Sequence, residues 1–215
     1  MGSAAAVHEY DGRVRPMPAP KKFTRAQLQT VALTLVDEQG LAALTMRNLA
    51  SALGTGPMTI YNYVDRREGL EQLVTEAVMA EAHWDTTPTD DWTDAVAAVA
   101  EGMWRAVRAH PNAVPLILTR RILDAATLTP AEALLEALAR SGRSGTGLLV
   151  AFRLVSAFIT GFAQAEFAPT DQAAALPADQ FPHLVAMAHT ATASNPEAEF
   201  HSALSIILKG LRLDG

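Results

Sequence analysis

Apolar positions along the chain recur every three or four residues, the spacing that places them on one face of a helix. Leu28, Val31, Ala32 and Leu35 define a first stripe, opened by Thr24 after Phe23 and stopped by Gly40, so the pattern predicts a helix over 24–39. A second stripe, Met46, Leu49, Ala50 and Leu53, starts at Thr45 and ends at Gly54, a residue that tolerates the positive φ of a helix stop. Pro57, suited to a first helical position because its missing N–H has no intrahelical partner, restarts the chain and predicts a short helix over 57–63 with Ile60 inward. Further stripes predict helices over 66–82, with Leu70, Leu73, Val74, Ala77 and Val78, and over 92–109, with Val96, Val99, Met103, Trp104 and Val107. A short helix is expected over 111–123 with Pro115 near its start, and another opening at Thr129 and Pro130 with Leu134, Leu135 and Leu138. The most apolar stretch, 146–167, carries Phe152, Phe158, Phe162 and Phe167. A loop over 168–179, a weaker helix over 181–192 and a last helix from Pro196, striped by Phe200, Leu204, Ile207, Leu208 and Leu211, complete an all-α chain.

The pair over 45–63 has the grammar of a helix-turn-helix. Small Ala50 lets the two helices cross closely, and the second helix is expected to expose Thr59, Tyr61, Asn62 and Tyr63, whose hydroxyls and amide suit bases or phosphates. An ordinary helical hairpin in an all-α core has the same spacing.

Charge sharpens that choice. The 215 residues carry a net charge of −6, which by itself argues against a polyanionic partner. Residues 13–67, however, hold eight Lys or Arg (Arg13, Arg15, Lys21, Lys22, Arg25, Arg47, Arg66, Arg67) against three acids, so the excess acid lies elsewhere. A basic head on an acidic body fits DNA binding. The first twenty-two residues, with Pro16, Pro18 and Pro20 and no apolar period, read as a flexible basic arm, either a solvated tail or one that reaches the phosphates or minor groove.

The run over 41–74, LAALTMRNLASALGTGPMTIYNYVDRREGLEQLV, resembles the DNA-binding signature of the tetracycline-repressor family. Thr45, Arg47, Leu49, Ala50, Gly54, Tyr61, Tyr63, Arg67, Glu68 and Leu70 fall on it, while Tyr63 stands for the usual histidine and Val64 for the usual phenylalanine. The resemblance implies a three-helix DNA-binding head with a linker helix (23–84), behind the arm (1–22), and a ligand-binding and dimerisation body (85–215). It implies contacts to a double-stranded, palindromic operator from Thr24, Thr45, Arg47, Thr55, Pro57, Met58, Thr59, Tyr61, Asn62, Tyr63 and Arg67. The helix starts at Thr24 and Thr45 would meet phosphates, and Arg67 the DNA backbone. Arg47, Thr59 and Asn62 are the candidate base readers.

For the body the resemblance implies a mostly apolar cavity for a small lipophilic or aromatic effector, with Trp84, Met103, Trp104, His110, Leu116, Leu123, Phe152, Phe158, Phe162 and Met187 as candidate lining. It also implies a homodimer, in which helix 146–167, with small residues Ala151, Ser156, Ala157, Gly161 and Ala165, joins the last helix in a four-helix interface. Such residues look like core in a sequence, so core and interface remain alternatives here.

Other chemistry is thin. None of the six histidines pairs as H-x-x-x-H with a carboxylate, so neither metal nor cofactor is expected. No nucleophile elbow, P-loop or Rossmann glycine pattern is present, which argues against an enzyme. Absence of cysteine suits the cytoplasm, no eighteen-residue apolar run lacks a charge or breaker, and Glu9 and Asp11 sit where a leader would be apolar. The reading is therefore a ligand-responsive regulator, most simply a repressor. A regulator controlled by a protein partner, and an all-helical small-molecule-binding or enzymatic protein, are the alternatives.

Overall fold

The structure, a computed structural model, describes residues 22–119, 125–167 and 174–213. The arm, with Arg13, Arg15 and Lys21, and the expected lining residue Leu123 lie outside the described residues. All described elements are helical.

The head begins with α1 (Arg25–Gln39). Thr24 accepts from the Gln27 N–H at 3.2 Å while the Gln27 side chain accepts from the Thr24 N–H at 2.8 Å, a reciprocal cap that fixes where the helix starts. Next, α2 (Met46–Ala52) is capped by Thr45, which accepts from Asn48 N–H at 3.1 Å. Gly54 adopts φ 62°, and the Thr55 N–H returns to the Ala50 carbonyl at 2.9 Å, closing the turn into α3 (Pro57–Ile60). The expected helix to residue 63 is α-helical only to Ile60; its end tightens through bonds from Asn62 N–H to Thr59 and Tyr63 N–H to Ile60, at 3.2 and 2.9 Å. Leu28, Val36, Leu44, Leu49, Ala50 and Ile60 are buried together with Leu70, Leu73 and Val74 of α4 (Arg67–Ala80).

The body comprises α5 (Trp92–Ala109), α6 (Val114–Thr119), α7 (Ala125–Ala139), α8 (Gly145–Glu166), α9 (Pro182–Thr192) and α10 (Pro196–Leu213). Asp91 caps α5, its side chain accepting from the Thr93 N–H at 2.9 Å. The start of α7 corrects the sequence reading: the helix opens at Ala125 and carries Pro130 inside it. Proline is common in a first turn, which is why it read as the start, but here the helix runs more than a turn before it. α5 packs on α7 and α8, α8 packs on α10, and α4 touches both α5 and α7.

By length and composition α8 would suffice to cross a membrane, yet only 22% of its most apolar window is buried. Its inward face, Ala151, Val155, Ile159 and Ala163, belongs to the body core, so Ala151 is core and not outward-facing. Its outward face is a second apolar stripe.

Candidate nucleic-acid interface and regulatory body

In the head, the elements above sort the expected DNA-facing residues into free and occupied groups. Arg47 and Asn62 are exposed, Tyr61 is half exposed, and Met58 is 76% exposed. Thr59 is half-buried, and its hydroxyl accepts from Thr55 Oγ1 at 3.0 Å. Tyr63 departs from the expectation of exposure. It is half-buried, its hydroxyl accepts from the Phe23 N–H at 2.7 Å, and its ring lies against that of Phe23 at 6.3 Å. It therefore braces the chain entering α1. The sequence gives no sign of this, because the partner lies forty residues upstream.

A cavity of about 260 Å³ lies beside α2, lined by Thr45, Met46, Tyr61, Asp65, Arg66 and Arg67, among others. Arg67 Nε donates to Glu71 Oε1 at 2.8 Å, which fixes the guanidinium along α4. Arg66, counted in the sequence only as charge, lines the same wall.

Buried Glu76 welds α1 to α4. Its carboxylate accepts from Arg25 Nε at 2.7 Å and Nη2 at 2.5 Å, and from Gln29 and Gln72, each at 2.7 Å. Burial works against its charge, but the hydrogen bonds from Arg25, Gln29 and Gln72 outweigh it and hold the carboxyl below the usual carboxylate range.

Beyond the packing of α4 on α5 and α7, three close contacts join head and body among the described residues. Gly102 of α5 lies so close to the 83–84 loop that a Cβ there would stand 2.4 Å from the His83 carbonyl oxygen. Asn112 donates to the Val36 and Asp37 carbonyls at 3.2 and 3.0 Å, at the end of α1 where the Val36 carbonyl also accepts the Gly40 N–H. His110 lies between Asp37 and Glu81, with Nδ1 2.8 Å from one carboxylate and Nε2 2.9 Å from the other, an arrangement only the protonated ring satisfies fully. Burial disfavours that charge, but the bonds to Glu81 and Asp37 outweigh it and raise the pKa above the ordinary histidine value.

The expected effector lining is only partly brought together. Trp104 stacks on Phe200 at 4.4 Å and meets Phe162 edge-on at 6.1 Å, and Phe158 closes the cluster at 5.2 Å from Phe200. Phe200, read from sequence only as part of the last helix's apolar stripe, is its hub. Met103 and Phe152 pack against this core, and Leu116 is buried. Among the described residues, buried Trp104 Nε1 and Glu166 Oε2 lack hydrogen-bond partners. The other Glu166 oxygen accepts from Arg108 Nε at 2.5 Å, and the Arg108 guanidinium lies 5.1 Å from the Trp104 ring centroid. His110 stands apart at the junction, Trp84 lines a separate cavity of about 470 Å³ with α5 and α7, and Met187 is 60% exposed. No group of three potential metal ligands occurs among the described residues.

Outward on α8, Val150, Leu154, Ala157, Gly161 and Ala165 form an exposed stripe at helical spacing, with Val150 58% exposed. Ile206 of α10 is 69% exposed.

Residues 85–214 match the family model described as tetracyclin repressor-like, C-terminal domain. An HTH-type transcriptional regulator of Saccharopolyspora erythraea is 27% identical over 158 residues, 74% of this chain. The repressor DrrR1 of Streptomyces coeruleorubidus is 27% identical over 162 residues, 73% of this chain. The matched stretches span 65% and 59% of those two relatives. Among solved structures, the Streptomyces coelicolor TetR family protein ActR in complex with (S)-DNPA superposes with a TM-score of 0.76 at 28% identity, covering 90% of this chain and 98% of that one. The same protein has been solved in complex with actinorhodin, with a TM-score of 0.72 at 28% identity over 88% of this chain and 96% of that one.

Proposed function

Because the chain belongs to the tetracycline-repressor family, we propose that it is a dimeric, effector-responsive transcriptional regulator acting as a repressor on a palindromic operator. The carrying observation is the α2–α3 pair. The pair packs on α1 through α2, with Met58, Tyr61 and Asn62 outward, and Arg47, Arg66 and Arg67 are exposed around it. Arg47 and Asn62 read bases, while Thr24, Thr45, Thr55, Pro57, Tyr61, Arg66 and Arg67 position the head on the backbone. Tyr63 acts through its brace on Phe23, and Thr59 is secondary because its hydroxyl already accepts from Thr55.

Head and linker helix occupy residues 23–84 and the body 85–215, a division supported by the family match beginning at 85. The outward stripe of α8, with Ile206 of α10, pairs with that of a second copy, while the stripe read from sequence on the last helix (Phe200, Leu204, Leu208, Leu211) is spoken for by the body core. The effector is lipophilic or aromatic and enters the body at the Trp104–Phe162 cluster. Support comes from the two buried polar atoms there, for which an effector would supply an acceptor to the indole N–H and a donor to the carboxylate. ActR's complexes with (S)-DNPA and actinorhodin support a small-molecule effector. Operation is in the cytoplasm, where the operator is.

Incubating the full chain with fragments of its own genome, and eluting with rising salt, tests this. A short inverted repeat should elute last, with affinity falling linearly on a log–log salt plot. Elution of all fragments together at low salt would contradict sequence-specific binding.

A further inference from the structure

The recognition pair offers one large apolar side chain to solvent, and its setting is polar. Met58 is 76% exposed, whereas Ile60 is fully buried. At about 100° per residue, Met58 points about 160° away from Ile60, so the packing that seats Ile60 in the head drives Met58 outward. Tyr61 and Asn62, three and four positions on, share its side. Thr59 does not: it is half-buried and its hydroxyl accepts from Thr55.

A lone exposed apolar residue is ordinary on a protein surface. Met58 differs in sharing α3's outward side with Tyr61 and Asn62, and Tyr61 in turn lines the cavity walled by Arg66, Arg67 and Asp65, whose two cations suit a phosphate backbone. The apolar group that base edges present in the major groove is the 5-methyl of thymine. An unbranched, polarisable thioether chain is well shaped to cover it.

We propose that Met58 reads a thymine 5-methyl group in each operator half-site, and is the residue of α3 that specifies that base pair. This rests on the DNA-binding reading above. Arg47 and Asn62 have hydrogen-bonding groups for base edges, and Met58 supplies the apolar contact.

The test uses the full chain and a duplex enriched by it from a random library. Each thymidine is replaced, symmetrically in both half-sites, by deoxyuridine, which lacks the methyl but keeps every hydrogen-bonding group. At one symmetric pair, affinity should fall about four-fold per half-site, the factor expected for uncovering one methyl-sized group. Met58→Ala should bind the thymine duplex more weakly and show no further loss with uracil. Met58→Leu, which keeps an apolar side chain, should restore uracil sensitivity, keeping the test decisive if the alanine variant binds too weakly to titrate. Uracil tolerated at every position, or a uracil penalty undiminished in Met58→Ala, would overturn the assignment to Met58 while leaving DNA binding intact. Failure to enrich any sequence would overturn the DNA-binding reading and this proposal with it.

Discussion

The Tyr63 hydroxyl accepts the Phe23 N–H just before the Thr24 cap, so one side chain at the end of the recognition pair sets the start of α1. Tyr63→Phe keeps the ring contact and removes the acceptor. It should lower stability by about 0.5–1.5 kcal/mol, read as a reduced urea midpoint with unchanged m-value. An unchanged midpoint would show that the hydroxyl does not brace the head. Glu76 acts at the same scale through charge. Its folded pKa lies below the unfolded one, so its contribution is present above the unfolded carboxylate pKa and is lost as pH falls through the folded pKa. Wild-type stability should therefore drop on acidification more steeply than that of Glu76→Gln, and parallel acid profiles would contradict the weld. Caps at Thr24 and Thr45 were legible because capping is local. The roles of Tyr63 and Glu76 were not, because their partners lie 40 and 51 residues away along the chain.

Among the elements, α4 is the one shared by head and body. Glu76 fixes it to α1, while His110, Asn112 and Gly102 seat its far end and that of α1 on the body. The folded pKa of His110 is raised, so its contribution is full below the ordinary histidine pKa of about 6.5 and is lost as pH rises through the folded value. The groups facing the ring are Asp37 at the end of α1 and Glu81 after α4. Stability should fall between mildly acidic and alkaline pH in the wild type and stay flatter in His110→Asn. A steeper fall in that variant would reverse the assigned sign. Gly102→Ala sets a methyl against the His83 carbonyl at a distance that backbone must relieve, so it should destabilise the joint by about 1–3 kcal/mol. Faster hydrogen exchange should follow at 81–84; uniform protection across the chain would mean that the contact yields freely. The α5 boundaries were legible from the stripe and Pro111, whereas α7 and α3 were misjudged where proline placement and a tightened last turn override periodicity. His110 read as pocket lining, since sequence does not place it between two carboxylates of the head.

At the scale of the whole molecule, α8 carries two apolar faces, one spent on the body core and one facing out. Periodicity showed that this helix was too apolar for one face but could not divide core from interface; the structure assigns Ala151 to core and Val150, Leu154, Ala157, Gly161 and Ala165 to the outward stripe. Leu154→Arg should thus yield a folded monomer on size exclusion, with unchanged far-ultraviolet circular dichroism. A dimer of unaltered mass would move the interface elsewhere. The proposed switch would join the same parts: an effector bound at the aromatic cluster would shift head spacing only by its difference in affinity between the two states, and about 1–3 kcal/mol would suffice. The central claim, that two copies place two reading heads on one operator, is tested most directly by the mass of the chain–operator complex in native mass spectrometry. The expected result is two chains per duplex, on an inverted repeat whose half-sites lie about 34–36 Å or a multiple apart, with Leu154→Arg failing to form it. A tight, specific complex of one chain per duplex, undisturbed by that substitution, would contradict the account.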